Sequence, residues 1–361
     1  MIAVVRLEKR LAPSKTAAIV VPICSVILAL LFCAAFLALT GRDPVEVYSA
    51  MFGGALGSAY GLSETAVKAI PLALCGLGIA VAFRMQLWNI GAEGQFYLGA
   101  FAASWLPLTF PGTPAWIMLP AMVVLGMAGG ALWGFIPGFL RANWRVNEII
   151  TSLMLNYIGI LLVNHFVYGP WRDPKGLNFP LSAPFPDAAL LPTLGGSRVH
   201  IGLFFVVILA ALLTVAFQRS RWGYETKVIG ASEQAARYAG MNIKRNIYLA
   251  MLLSGAISGL AGMAEVSGIV GRLQPNLSPG YGYTAIIIAW LAKLHPAAII
   301  LVAILFGVLQ VGGYLVQTLG VPASVAAMLQ GAILFFVVGG EIFTNYRLRF
   351  AGWKGENDTH A

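Results

Sequence analysis

The feature that most constrains this chain is a series of long apolar runs, each ended by a basic residue or a Pro/Gly turn. The first, 16–39, holds no charged residue at all. About 20 consecutive apolar residues are what an α-helix needs to cross ~30 Å of hydrocarbon. Backbone polar groups in lipid must be satisfied internally, so only helices or closed barrels span it; continuous rather than alternating runs select helices. Only 10% of the 361 residues are charged and 59% are hydrophobic, whereas a soluble domain carries about 25% charged residues. The expected class is an all-α polytopic membrane protein.

The runs read as about ten spans: 17–39, 64–83, 89–110, 115–140, 148–168, 200–217, 246–270, 283–291, 297–318 and 325–343. The first run is longer than a cleaved signal core of ~7–15 residues, so an uncleaved first span is expected. The run 283–291 is too short to cross as a helix at ~1.5 Å per residue. A basic N-terminus and a basic tail on one side require an even number of crossings. It is therefore counted as a short or broken helix, crossing with help from polar turns or buried in protein. Under this topology all but six of the 23 basic residues face the cytoplasm; the six are Arg42, Lys68, Arg172, Lys175, Arg198 and Arg272. That asymmetry is the positive-inside pattern. It divides the chain into a cytoplasmic N-terminus (1–16), a transmembrane domain (17–345) and a cytoplasmic tail (346–361). Within the domain, 169–199 is a folded external loop and 218–245 a cytoplasmic one. Interruptions at 84–89 and 293–296 echo each other faintly; paired interrupted helices mark midplane pathways in transporters.

The net charge of +9 follows the ends of the apolar runs, so membrane lipid rather than nucleic acid is its partner. Cys24, Cys33 and Cys75 all lie in apolar runs and read as small buried hydrophobes. There is no GxxxxGK[ST], HExxH or GxSxG, and the four histidines (165, 200, 295, 360) have no metal-ligand spacing. No cofactor or metal is expected, and an enzyme is excluded for want of a nucleophile with a base. Ionisable groups near the spans are few. Glu93 reads as a first-turn carboxylate behind Asn89 as N-cap, Glu265 as an outer-interface residue and His165 as an interfacial one. This shortage of buried charge argues against a proton or sodium pump. It suits a pathway for an uncharged polar solute. Small residues along 254–262 provide close helix approach.

The segment 218–245 is the longest polar interruption in the second half. Within it 233–238 reads as helical, bracketed by Gly230 and Gly240, while Lys244 and Arg245 anchor the next span. It is either a docking surface or a solvated loop. Three stretches now show a resemblance. Asn89-Ile-Gly-Ala-Glu-Gly-Gln95, Ala235-Ala-Arg-Tyr-Ala-Gly240 and the run 254–262 resemble signatures of ABC importer permeases for nucleosides and simple sugars. That family sits in the branched-chain amino acid and ribose permease superfamily.

The resemblance implies a prokaryotic plasma (inner) membrane permease that pairs with a second permease, usually a different chain. It also implies a cytoplasmic ABC ATPase, an extracytoplasmic substrate-binding lipoprotein of the basic-membrane-protein type, and a nucleoside-like solute. It makes Ser232, Glu233, Ala236, Arg237, Tyr238 and Gly240 a coupling helix that docks on the ATPase. Asn89, Gly91, Glu93, Gly94 and Gln95 become signature or pathway candidates. The competing reading is an ion-coupled secondary transporter or channel for a small polar solute.

Overall fold

The apolar runs fold as helices, and the breaks between them fall at polar, Pro and Gly positions. The computed structural model describes residues 4–9, 15–322 and 324–351. The expected tail beyond 351, with Lys354, and residues 1–3 and 10–14 of the expected N-terminal segment lie outside the described residues.

In chain order the elements are β1 (Val4–Lys9), α1 (Lys15–Leu39), α2 (Pro44–Leu56), α3 (Ala59–Phe83) and α4 (Ala92–Thr109). Then come α5 (Ala115–Trp144), α6 (Glu148–Tyr168), α7 (Gly202–Arg219), α8 (Arg221–Ala231), α9 (Glu233–Tyr238) and α10 (Ile243–Glu265). A π-helical turn, Val266–Val270, closes α10 and ends at Gly271 with φ 66°. The chain continues through α11 (Tyr281–Leu291), α12 (Pro296–Leu315), α13 (Ser324–Asn345) and β2 (Tyr346–Ala351). Among the described residues seven helices are long and apolar enough to cross a membrane: those built on Val20–Leu39, α3, α5, α6, α7, Ile243–Val270 and Pro296–Leu319. Tyr281–Leu291 and Ala327–Gly340 are shorter apolar helices.

Three elements add to the expected spans. Beside the helices of the expected all-α fold, β1 and β2 pair antiparallel, with Val4 opposite Ala351 and Lys9 opposite Tyr346. The stretch after the first span holds a regular helix, α2, with Gly53 and Gly54 inside it and Gly57 and Ser58 between it and α3. The loop 218–245 contains α8 as well as the expected short helix.

The chain divides into two compact units, residues 1–48 with 316–361, and 49–315. In the first, α1 packs on α13. Ser25 Oγ donates to the Phe336 carbonyl at 2.9 Å, and Phe32 meets Phe336 edge to face. Cys33 is buried there, but Cys24 is exposed among Val20, Ile23 and Ile27, contrary to expectation.

In the second unit α10 is the central element, packed against α5, α4 and α3. Its small residues make this possible. A Cβ at Gly255 would stand 2.3 Å from the Gly130 carbonyl oxygen, at Gly259 2.2 Å from that of Gly126, and at Gly262 2.0 Å from that of Phe96. Backbones touch directly at these crossings, the usual device where lipid gives no hydrophobic drive to association. α3 is buried almost all round from Val67 onward, as a core helix should be. By contrast α5, α6 and α7 expose Leu132, Leu161 and Leu212, the outward faces expected against lipid.

The two ends of this unit differ. At one end Arg84 Nη2 donates to the Phe217 carbonyl (3.3 Å), and Lys244 Nζ reaches Asn143 Oδ1 (3.4 Å). The basic termini of α3, α5, α7 and α10 thus meet there. At the other end the segment 169–201 folds onto the chain after α10. Ser182 N donates to the Leu273 carbonyl (3.0 Å), Phe185 N to that of Gly271 (2.8 Å), and Ser267 Oγ to that of Ala189.

Candidate functional site

The Asn89–Gln95 stretch builds a buried polar knot. α3 ends at Phe83, and Gln86, at φ 56°, breaks the helical path. The chain then turns through Leu87–Ile90 before α4 begins at Ala92. Asn89 is fully buried and lies before α4, not at its cap; Gly91 occupies the cap position without a side-chain bond. Asn89 instead spends all its hydrogen-bonding capacity inward. Its Nδ2 donates to Gln95 Oε1 (3.0 Å) and Ser254 Oγ (2.8 Å). Its Oδ1 accepts from Gly91 N and Gln95 Nε2, both at 3.0 Å. A buried amide left unpaired is costly, and here the two amides satisfy each other.

Asn156 of α6 joins the knot. Its Oδ1 accepts from Gly94 N (2.7 Å) and its Nδ2 donates to the Ile90 carbonyl (2.8 Å), while Ile90 N donates to Ser152 Oγ (3.2 Å). A Cβ at Gly94 would sit 2.9 Å from Asn156 Cα, so glycine is what lets α6 approach. Glu93 does stand in the first turn of α4, but its partner is another helix. Its Oε2 accepts from Gly282 N at 2.7 Å, in the first turn of α11. A carboxylate there meets both an orphan amide and the positive end of the α11 dipole. The signature therefore ties α4 to α6, α10 and α11. All five signature candidates belong to this knot. Asn156, Ser152 and Ser254 complete it; the sequence marked Ser254 only as the start of the small-residue run 254–262, and Asn156 and Ser152 only as polar residues inside an apolar run.

A charged group lies deeper in the fold than the sequence indicated. Glu265 is buried, not at an interface, and pairs with Lys68 of α3 at 3.9 Å. Lys68 Nζ also contacts Tyr281 Oη at 3.1 Å, and that hydroxyl reaches Glu265 Oε1 at 3.5 Å. Three helices, α3, α10 and α11, meet on this triad. Residues 197 apart in sequence form the pair, so neither alone signalled it. His165, by contrast, is exposed near the end of α6.

The segment 218–245 is a pair of capped helices. Ser220 Oγ accepts from Gly223 N (2.9 Å) to start α8, and Ser232 Oγ from Ala235 N (3.2 Å) to start α9. Gly223 and Gly230 are packing positions: a Cβ at either would stand 2.3 Å from a backbone oxygen, of Ala216 and Arg84 respectively. Gly240 is the turn. At φ 72° it closes α9 with paired bonds, Gly240 N to the Arg237 carbonyl (3.1 Å) and Met241 N to that of Ala236 (3.0 Å). This is a Schellman ending. Asn242 Oδ1 then caps α10 on Arg245 N (3.0 Å).

Ala236 is fully buried and fixes α9 in place. Ser232, Glu233, Arg237 and Gly240 are exposed, and Tyr238 is 95% exposed. Arg237 Nη2 pairs with Glu233 Oε1 at 2.8 Å within the helix. Behind α9, Glu225 accepts from Asn246 Nδ2 (2.8 Å) and Arg221 Nε (2.9 Å). These bonds, that of Asn246 foremost, hold its carboxyl below the usual carboxylate range. The arrangement is a short, rigid, outward-facing helix on the basic end of the fold.

Comparison with known proteins agrees with this architecture. A family model described as "Branched-chain amino acid transport system / permease component" matches residues 61–338. A glucose ABC transporter permease protein of Haloferax volcanii is 39% identical over 94% of this chain and 92% of its own length. A guanosine ABC transporter permease protein of Bacillus subtilis is 33% identical, covering 93% of this chain and 96% of itself. A second guanosine permease protein from the same organism is 26% identical over 68% of this chain and 79% of itself. The match takes in all but the first two residues of α3 and α4 to α12 in full, with the buried knot, the charged triad and α9 all inside it, and this chain belongs to the permease-component family of branched-chain amino acid transport systems.

Proposed function

We propose that this permease carries nucleosides, or a similar sugar-containing solute, into a prokaryotic cell across the plasma (inner) membrane. It pairs with a second, different permease chain, takes solute from an extracytoplasmic binding lipoprotein, and is driven by a separate cytoplasmic ABC ATPase. Ser232–Gly240 is the coupling helix. The observation that carries this reading is α9 itself. It is capped at both ends, seated on buried Ala236, and presents Glu233, Arg237 and Tyr238 outward from the basic end of the fold. Such a helix transmits displacement, where a flexible loop would absorb it.

Ten crossings place both ends in the cytoplasm. The β1–β2 pairing supports an even number, since it joins the two flanks of the transmembrane domain (17–345). The two Bacillus guanosine permease chains support a paired arrangement. The fully paired amides around Asn89, Gly91, Glu93, Gly94 and Gln95 suit a structural hub beside the solute path.

The test is labelled-guanosine uptake in cells expressing this chain with its neighbouring permease, ATPase and lipoprotein. Uptake should require the ATPase and collapse on Arg237→Glu or on deletion of 232–240. Normal uptake in either variant overturns the coupling assignment. The buried Lys68–Glu265 pair and Glu93 favour one competing reading, an ion-coupled transporter or channel. Uptake that persists without the ATPase and follows a proton or sodium gradient would establish it.

A further inference from the structure

A cavity of about 600 Å³ opens between the C-terminal end of α5 and the α9–α10 turn, away from the buried knot and the charged triad. Four cations line it, Arg141, Arg145, Arg237 and Lys244, against the single carboxylate of Glu233. Two of the four are already compensated. Arg237 pairs with Glu233 at 2.8 Å, and Arg141 Nε lies 3.4 Å from Glu148 Oε2. Arg145 and Lys244 have no carboxylate partner among the described residues; Lys244 reaches only the amide oxygen of Asn143, at 3.4 Å.

A second source of positive potential converges on the same space. Asn242, Ile243 and Lys244 open α10, a helix of 23 residues, and line the cavity. Asn242 Oδ1 takes the Arg245 amide (3.0 Å). The Ile243 and Lys244 amides have no acceptor within the helix. A helix start of this kind favours anions.

Arg145 adds a third observation. It caps α5 in the left-handed region at φ 54°. Glycine or asparagine adopts that conformation most easily, and the arginine at this position lines the cavity. A planar guanidinium, an ammonium and helix-start amides together match an oxyanion with several oxygens. Beside the rim, Trp144, Val146 and Ile150 are exposed, an apolar strip of the kind acyl chains cover.

We propose that this cavity binds a phosphate group, the chemistry shared by an anionic phospholipid headgroup and a soluble phosphate ester. Because Arg237 and Glu233 of α9 form one wall, an occupied cavity braces α9 against α5 and α10.

The experiment uses the purified full-length chain and two variants, Arg145→Asn, which keeps a side chain suited to the left-handed turn, and Lys244→Gln. Lys227→Gln, at an exposed position outside the cavity, is the control. One arm measures retention of labelled phosphatidylglycerol against net-neutral phosphatidylcholine by native mass spectrometry. The other titrates inorganic phosphate against the melting temperature in phosphatidylcholine nanodiscs. In at least one arm the wild type should bind the anionic probe, with each cavity variant about tenfold weaker, the scale of one charge-assisted hydrogen bond, and the control unchanged. Binding confined to phosphatidylglycerol identifies a headgroup site, and binding of inorganic phosphate identifies a soluble-ester site; both support the proposal. No anion preference in either arm, or equal binding by wild type and both variants, overturns it. So does a loss of ATPase capture in the variants with phosphate and phosphatidylglycerol binding intact, which would give the cavity to the ATPase.

Discussion

Replacing Asn89 by alanine isolates what the signature contributes. The substitution removes four hydrogen bonds, two to Gln95, one to Ser254 and one from Gly91 N. Interhelical bonds inside membranes average roughly 0.6 kcal/mol each, which puts the loss near 2.4 kcal/mol. Counted the other way, the Gly91 amide and both ends of the Gln95 amide are stranded in a buried site at about 1 kcal/mol or more apiece, a loss of about 3 kcal/mol. The two routes converge on a destabilisation of roughly 2–3 kcal/mol. Gln95→Ala should cost less, because Asn89 keeps Ser254 and Gly91. In the double variant the two amides vanish together, so its cost should fall short of the sum by about 1–2 kcal/mol. The assay is reversible unfolding of the purified full-length chain in mixed micelles, followed by loss of helical circular dichroism. Additivity within ~0.3 kcal/mol would refute the claim that the two side chains satisfy each other.

Three further outcomes follow from the packing and charges. Gly259→Ala must push α10 from α5, since the new methyl group meets backbone at 2.2 Å. The expected cost lies towards the upper end of the ~1–3 kcal/mol range for overpacking, whereas Gly53→Ala, with nothing within 4 Å, should be neutral or gain up to ~1 kcal/mol; equal effects in the same unfolding assay would sink the close-contact reading. Lys68→Ala strands a buried carboxylate and should cost about 3–5 kcal/mol. Glu265→Gln should cost less, because Lys68 keeps Tyr281 and a fifth of its side chain is accessible; the reverse order of melting temperatures would contradict the assignment. Glu225 has a depressed carboxyl pKa, so its contribution is fully present above its ordinary value of 4.5 and is lost as pH falls through the lower folded-state value. The melting-temperature gap between wild type and Glu225→Gln should therefore close on acidification, and a gap that widens would reverse the sign.

The parts legible in the sequence were those governed by local rules. Apolar length marked most spans within a few residues, and Gly240 announced the end of α9 because a left-handed turn acts within three or four residues; the Ser232 and Asn242 caps emerged only in the structure. The small residues of 254–262 announced close helix contact for the same reason. α8 was missed because its apolar positions are too few to stand out; it is held by the Ser220 cap, by Gly223 and Gly230 against backbone, and by Asn246 on Glu225. Asn89 was misread as a cap because its nearest sequence neighbour is a helix start, while its actual partner Ser254 lies 165 residues on.

By itself the sequence determined the solvent most segments can occupy, and with it the helical, polytopic membrane class. Burial of backbone in lipid leaves a chain of this composition few other choices. Only the tertiary structure decided which polar groups meet: Glu93 on the start of α11, Asn156 on Gly94, and Lys68 with Glu265 and Tyr281. Those pairings depend on helix crossings set by backbone contact at Gly94, Gly130, Gly255 and Gly259, and a crossing fixes partners that no local pattern can encode.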